Sequence, residues 1–192
     1  MVDKFYSFVF RGLLAESALH STGKLDKYKT FSALDKEIAE RLSLDLLDEK
    51  IVTRAKRMAT VFTAITAFEN TVREFVVSKL LEVVGENWWD TCVSEKIRNK
   101  AVSRRDEESK IRWHTPRGDS LINYTEFGDL TSIMIQNWSH FEYHLQSQDW
   151  ARQIINTLER SRNVIMHSGE LANEDIERIG THIRDWIRQV GA

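Results

Sequence analysis

The sequence predicts an all-α fold. Three observations carry this: the chain has one proline and only eight glycines in 192 residues, it is rich in strong helix formers, and its apolar residues recur at intervals of three and four almost throughout. Val2, Phe5, Tyr6, Val9, Phe10, Leu13 and Leu14 repeat at helical spacing until Ser21 to Gly23 interrupts them. Ser32 with Asp35 three residues later has the form of a capping box, opening a short helix through Leu34, Ile38 and Leu42. A long helical tract follows from about Leu46 to Val84, with Ala55, Met58, Phe62, Ile65, Phe68, Val72, Phe75, Val76 and Leu80 as its apolar positions and Gly85 as its stop. Another helix is expected over Trp88 to Arg105, then a polar loop around Pro116 from Arg112 to Asn123, then a helix from Phe127 to Trp138. Two amphipathic helices close the chain. The first spans Trp150 to His167, with Ile154, Ile155, Leu158, Ser161 or Arg162, and Ile165 on its apolar stripe and Ser168-Gly169 as its end. The second begins at Asn173 as N-cap, with Glu174 and Asp175 in its first turn, and continues through Ile176, Ile179, Ile183, Trp186 and Val190.

Composition bounds the function. The length suits one well-packed core, and no Pro, Gly or Ser-rich linker divides the chain. No signal-peptide pattern opens it and no apolar stretch is long enough to cross a bilayer, so a cytoplasmic protein without membrane attachment is expected. The single cysteine, Cys92, excludes an internal disulfide framework and fits a reducing compartment. There is no Gly-rich phosphate loop, nucleophile elbow or paired-cysteine metal site, which removes most nucleotide hydrolases, α/β-hydrolases and zinc fingers.

One motif stands out. Arg162-Asn163-Val164-Ile165-Met166-His167 places on one helix a permanently charged group able to grip phosphate and a group able to exchange a proton near neutrality. An Arg-x4-His spacing is expected by chance about 0.5 times in a chain of this composition, and the Asn after the Arg makes the full pattern far rarer. Arg98-Asn99 is an internal control, because Ser103 occupies the fifth position after that arginine. Around the helix Asn163 shares a face with His167, whereas Arg162 lies about 140° from it. One copy of the chain therefore does not converge both charges on one atom. The plain structural alternative is a charged pair that merely complements a helix end.

With a net charge of −2, RNA contact requires a local cluster rather than a general positive field. The best candidate lies between Arg98 and Arg117, with Arg104, Arg105 and Arg112 as phosphate contacts and Trp113 for base stacking. The competing reading is a solvated helical face, because Asp106, Glu107 and Glu108 interrupt the run. His140 and His144, with Glu142 between them, invite a zinc reading, but the spacing differs from His-Glu-x-x-His and no third ligand is evident, so neither metal nor other cofactor is expected. Glu69 and Asn70 interrupt an apolar helical stretch, as a buried polar pair supporting the motif or as the wet face of the helix. The tryptophans Trp88, Trp89, Trp138, Trp150 and Trp186 read as core and interface aromatics.

Taken together, the long helical core carrying Phe68-Glu69-Asn70-Thr71-Val72-Arg73-Glu74, the stretch Tyr124-Thr125-Glu126-Phe127-Gly128-Asp129-Leu130 before a helix, and Arg162-Asn163-x3-His167 followed by a last helix resemble the HEPN superfamily. The likeness is nearest to its Swt1-like group and to bacterial defence and toxin domains. It covers about residues 46 to 190, so a HEPN-like domain over 46–192 is expected behind a helical extension over 1–45. The resemblance implies a helical bundle with long antiparallel core helices. It further implies a homodimeric, metal-independent endoribonuclease of a defence or toxin system, in which the motif helices of two copies form a composite cleft. There the RNA 2′-hydroxyl attacks the adjacent phosphorus, leaving a 2′,3′-cyclic phosphate and a 5′-hydroxyl. Carried onto this chain, His167 moves a proton or stabilises the leaving oxygen, Arg162 holds the scissile phosphate, and Asn163 orients His167 or donates to phosphate. Its partners would be RNA, a second copy, and an antitoxin or other defence-system protein. Some HEPN toxins carry a regulatory tyrosine two positions after the histidine; Gly169 stands there in this chain. The alternative within the resemblance is a noncatalytic module that binds RNA or protein and assembles a larger complex.

Overall fold

The computed structural model describes residues 35–191. The expected helix from Val2 to Leu14 and the Ser32 end of the capping box lie outside the described residues. The chain divides into two compact units, Met1–Arg54 and Ala55–Ala192. In the first, residues 35–41 are helical and a single 3-10 turn spans Leu44–Leu46. All remaining regular structure is also helical: α1 (Glu49–Val84), α2 (Trp88–Cys92), α3 (Glu95–Ser109), a 3-10 turn at Leu121–Tyr124, α4 (Phe127–Gln136), α5 (Trp138–Phe141), α6 (Gln148–Met166) and α7 (Asn173–Val190). The described residues contain no strand, as the scarcity of turn-forming residues requires.

The second unit is organised by α1. Met58, Val61, Ile65, Phe68, Val72, Val76 and Leu80 follow one another at three- and four-residue steps and are all buried, so one stripe of the helix faces the core while Thr63, Ala67, Thr71 and Glu74 face outward. Ala55, expected on that stripe, is exposed. Gly85 ends α1 at φ 84°, a left-handed conformation that costs a glycine nothing and most other residues about 1–2 kcal/mol.

The motif helix α6 lies antiparallel to α1. Met58 Sδ accepts from the Leu171 N–H just beyond α6, and Glu69, further along α1, meets Arg162 inside α6, so the pairing runs in opposite directions along the two segments. Ala151, Ile154, Ile155, Leu158 and Ser161 form the buried face of α6; Ser161 rather than Arg162 completes the stripe, its hydroxyl donating to the Thr157 carbonyl at 3.0 Å. From α7, Ile179 and Trp186 are buried, and the Trp186 ring stacks on Trp150 with centroids 5.6 Å apart while meeting Phe68 and Phe75 edge-on. These four aromatics lock α1, α6 and α7 to one another, each pair adding about 0.5–1.5 kcal/mol beyond its area burial.

Three boundaries differ from the sequence expectation. The helix expected over Trp88 to Arg105 is two helices, because Val93 adopts an extended conformation that places its side chain in the core, and the freed Cys92 carbonyl accepts from Asn137 Nδ2 at 2.8 Å. The same Asn137 amide also donates to the Ile133 carbonyl and separates α4 from α5, so the helix expected to reach Trp138 stops at Gln136. Asn173 is the first residue of α7 and not its N-cap; Ala172 holds that position, and the Asn173 side-chain oxygen accepts from Arg57 Nη2 at 2.6 Å instead of capping the helix. In the stretch Tyr124 to Leu130, Glu126 and Asp129 form a reciprocal capping box that opens α4. Gly128 lets the Glu159 carboxylate of α6 reach its N–H at 3.3 Å, where a β-carbon would crowd that carboxylate.

No helix among the described residues is long and apolar enough to cross a membrane.

Candidate active site

Arg162 projects from α6 toward α1 and donates from Nη1 to Glu69 Oε2 at 2.6 Å. The Glu69 carboxylate is buried, and its other oxygen accepts from Arg73 Nη2 at 2.9 Å. Arg73 also donates from Nη1 to the Asn70 side-chain oxygen, and its own Nε is buried with no hydrogen-bond partner. A buried carboxylate is expensive unless it is paired and hydrogen-bonded, and here two guanidiniums satisfy it from opposite sides. The three side chains together retain one positive charge in excess. The amino-acid spacing explains the arrangement: Glu69 and Arg73 are one turn apart on α1, and the antiparallel run of α6 delivers Arg162 to the same level.

Glu69 and Asn70, the interruption in the apolar stretch, thus have different surroundings. Glu69 faces inward to the motif helix, whereas Asn70 is exposed and touches only Arg73 among the contacts of this group. Sequence reasoning did not single out Arg73. Its available signal was the Glu69-x3-Arg73 spacing, the usual geometry of an intrahelical ion pair.

Asn163 and His167 lie on the other side of α6 and both are exposed. His167 is the C-cap residue, and the chain leaves the helix immediately after it: the Ser168 N–H bonds to the Ile165 carbonyl at 2.9 Å and the Gly169 N–H to the Val164 carbonyl at 2.8 Å. This is a Schellman ending, with Ser168 at φ 61° in the left-handed position that glycine usually fills. Gly169 is needed for a different reason. A β-carbon there would sit 2.8 Å from the Val164 carbonyl oxygen, so a tyrosine at this position is incompatible with the cap as it stands. Within one copy of the chain, Arg162 is turned toward α1 and His167 toward solvent, and the two are not brought together.

The residues expected to contact RNA are divided. Arg104 is half-buried and committed to α4: it donates to the Tyr124 carbonyl at 2.9 Å, pairs with Glu126 at 2.5 Å and lies 3.6 Å from Asp129, the two acids of the capping box. Arg105 is exposed and pairs with its neighbour Asp106 at 3.2 Å. Arg112 and Trp113 are exposed in the loop after α3, and the Trp113 ring, 86% exposed, meets His114 edge-on. His140 and His144 are both half-buried, and the His144 ring packs edge-on against Phe75 and Tyr143. No group of three or more His, Cys, Asp and Glu side chains with metal-binding geometry occurs among the described residues.

No curated protein and no solved structure matches the chain significantly. The sequence profile of the Swt1-like HEPN domain does, over residues 63–191, a span that begins inside α1 and contains Glu69, Arg73 and the whole Arg162 to His167 motif. That span is more than half of the chain, and the protein therefore belongs to the Swt1-like HEPN family.

Proposed function

We propose that this protein is a metal-independent endoribonuclease of a defence or toxin system, acting as a homodimer with a composite site. The family is associated with RNA cleavage. The observation that carries the reading is the fixed Arg162 guanidinium: an arginine used only to complement a helix end has no need of a buried carboxylate partner from another helix, itself held by a second arginine. Such an arginine is preorganised to meet a phosphate without first losing its rotamer freedom.

In the proposed chemistry the RNA 2′-hydroxyl loses its proton and its oxygen bonds to the adjacent phosphorus, while the bond from phosphorus to the 5′-oxygen breaks. The products are a 2′,3′-cyclic phosphate and a 5′-hydroxyl, the latter taking a proton. Arg162 stabilises the charge that develops on the phosphoryl oxygens, His167 moves a proton at the attacking or leaving oxygen, and Asn163 donates to phosphate or holds the imidazole. Because Arg162 and His167 diverge by about 140° around α6, a second copy must supply the complementary group. The exposed Val164 and Met166, on the motif helix itself, support such pairing as apolar surface that a second copy would cover. An antitoxin or other defence-system protein is the proposed regulatory partner.

The same ion pair supports one other reading, a noncatalytic RNA- or protein-binding module in which Glu69 and Arg162 are purely structural. Purified protein incubated with labelled RNA in EDTA separates the two. The ribonuclease reading expects fragments ending in cyclic phosphate; intact RNA in the presence of folded dimer favours the binding module.

A further inference from the structure

We infer that the groove between α4 and α6 is a recognition subsite for one unpaired nucleobase of the RNA, an inference that rests on the proposed ribonuclease function. The groove is a cavity of about 290 Å³ lined by Gly128, Thr131, Ser132, Gln136, Arg152 and Asn156. Its position follows from the helix spacing: residues 152, 156, 159, 163 and 167 fall within about 80° of one another around the α6 axis. The groove therefore opens on the same face of α6 that carries Asn163 and His167, with Asn156 about 10 Å along the axis from Asn163. A strand whose phosphate lies at the motif can lay a neighbouring base over Asn156.

The chemistry of the lining selects a base and disfavours a phosphate. Its one cation, Arg152, is already bonded to Asp149 at 2.9 Å, and the Glu159 carboxylate borders the groove where it accepts from the Gly128 N–H. An anionic group there would compete with Asp149 for Arg152 and would face the Glu159 carboxylate, whereas a neutral base would do neither. Gln136 and Asn156 are exposed amides that each present a donor and an acceptor together, the pattern that pairs with the edge of a base. Thr131, only 5% exposed, supplies the independent sign of a ligand: the residue lines the groove, and its hydroxyl is buried without a hydrogen-bond partner. Its neighbour Ser132 is different, donating to the Gly128 carbonyl at 3.1 Å. An orphaned hydroxyl beside two amides is an incomplete hydrogen-bonding set, and recognition of single-stranded RNA proceeds by completing such sets with splayed bases.

The test uses four 2′-O-methyl trinucleotides, each built from a single base, titrated against the full chain while the NMR signals of Thr131, Gln136 and Asn156 are followed. These probes bind without being cut. One base should perturb the three signals at a concentration at least tenfold below the others, and Gln136→Ala, Asn156→Ala and the near-isosteric Thr131→Val should each reduce that preference without changing the unfolding midpoint of the two exposed-site variants. Perturbation confined to the Asn163 and His167 region, or equal response to all four bases, overturns the subsite. Cleavage of ordinary RNA by the unaltered protein is scored separately. Base-selective groove binding without cleavage retires the ribonuclease reading and upholds the subsite. Cleavage whose base preference survives Gln136→Ala and Asn156→Ala unchanged retires the subsite and leaves the ribonuclease reading standing.

Discussion

Glu69 Oε2 accepts from Arg162 Nη1 at 2.6 Å, joining the middle of the longest helix to the motif helix 93 positions later. Because Glu69 also accepts from Arg73, the three residues form a unit whose members are not equivalent. Removing one partner of a largely buried pair costs about 3–5 kcal/mol when a charge is left alone. Glu69→Ala leaves two guanidiniums facing each other without their shared anion, and is expected to cost about 3 kcal/mol, the low end because both arginines retain some solvent exposure. Arg162→Ala leaves Glu69 paired with Arg73 and should cost about 1 kcal/mol. Denaturant unfolding of both variants checks the order. Equal losses, or a larger loss for Arg162→Ala, would show that Glu69 is not the hub.

Catalysis is expected to depend on the motif in the opposite order. Arg162→Ala and His167→Ala should each lower cleavage by about 10² to 10⁴, with helicity and dimerisation retained, and a 2′-deoxy substitution at the cut site should protect the RNA. Single-turnover cleavage in EDTA measures this. Undiminished cleavage by either variant, or activity lost in EDTA and restored by manganese, places the chemistry elsewhere.

The end of α6 offers a test of how His167 is held. Ser168 occupies a left-handed position at φ 61°, which costs an L-residue about 1–2 kcal/mol, partly offset in a glycine variant by the greater freedom of its unfolded chain. Ser168→Gly should therefore stabilise by about 0.5 kcal/mol and raise the melting temperature by about 1–2 °C. Gly169→Ala should do the reverse by about 1 kcal/mol or more, since its β-carbon would lie 2.7 Å from Val164 Cγ1 and 2.8 Å from the Val164 oxygen. If cleavage is sensitive to the position of His167, Gly169→Ala lowers it and Ser168→Gly does not.

Much of this architecture was legible because periodicity reports burial directly. The stripe Met58, Ile65, Phe68, Val72, Val76 and Leu80 and the stops at Gly85 and Ser168-Gly169 are local properties of the chain. The breaks at Val93 and Asn137 were not legible, because both depend on the Asn137 amide reaching a carbonyl 45 positions away. The same holds at the site. The motif announces Arg162 and His167, and the polar interruption announces Glu69, but only the antiparallel placement of α1 and α6 shows which carboxylate oxygen serves which arginine. Arg104 illustrates the converse: local charge groups it with Arg105 and Arg112, whereas its partners are Tyr124, Glu126 and Asp129 across the loop.

His182 on α7 should contribute to acid sensitivity. Burial holds its imidazole below the usual value of 6.5, opposed by Asp185 and reinforced by Arg178. The sign follows from proton binding: below pH 6.5 the unfolded chain takes up a proton that folded His182 resists, so its contribution is fully present above that pH and is lost as pH falls through the lower folded value. Melting temperatures of the parent should fall between pH 7 and pH 5, and His182→Gln should flatten that slope. An unchanged slope in the variant assigns the acid loss to other groups.

The arginines between Arg98 and Arg117 differ in what they hold. Arg104 bonds the Tyr124 carbonyl and pairs with both acids of the α4 capping box, so Arg104→Ala should destabilise the fold by about 1–2 kcal/mol, through the start of α4, whether or not RNA is present. Arg105 has only an exposed pair with Asp106, and Arg112 and Trp113 are exposed, so their replacement should leave stability within about 0.5 kcal/mol. If this loop carries RNA, the Arg105→Ala, Arg112→Ala, Trp113→Ala triple variant should bind an uncleavable RNA several-fold more weakly, with a salt dependence reduced by about two units of slope at most, since only two charges are removed. Cleavage of saturating substrate should be unaffected, because none of the three residues touches the motif helix in the contacts described above. A salt titration of the triple variant that superimposes on that of the parent would mean that the cluster is a solvated surface and that the RNA follows the Asn156, Asn163 and His167 face of α6 without it.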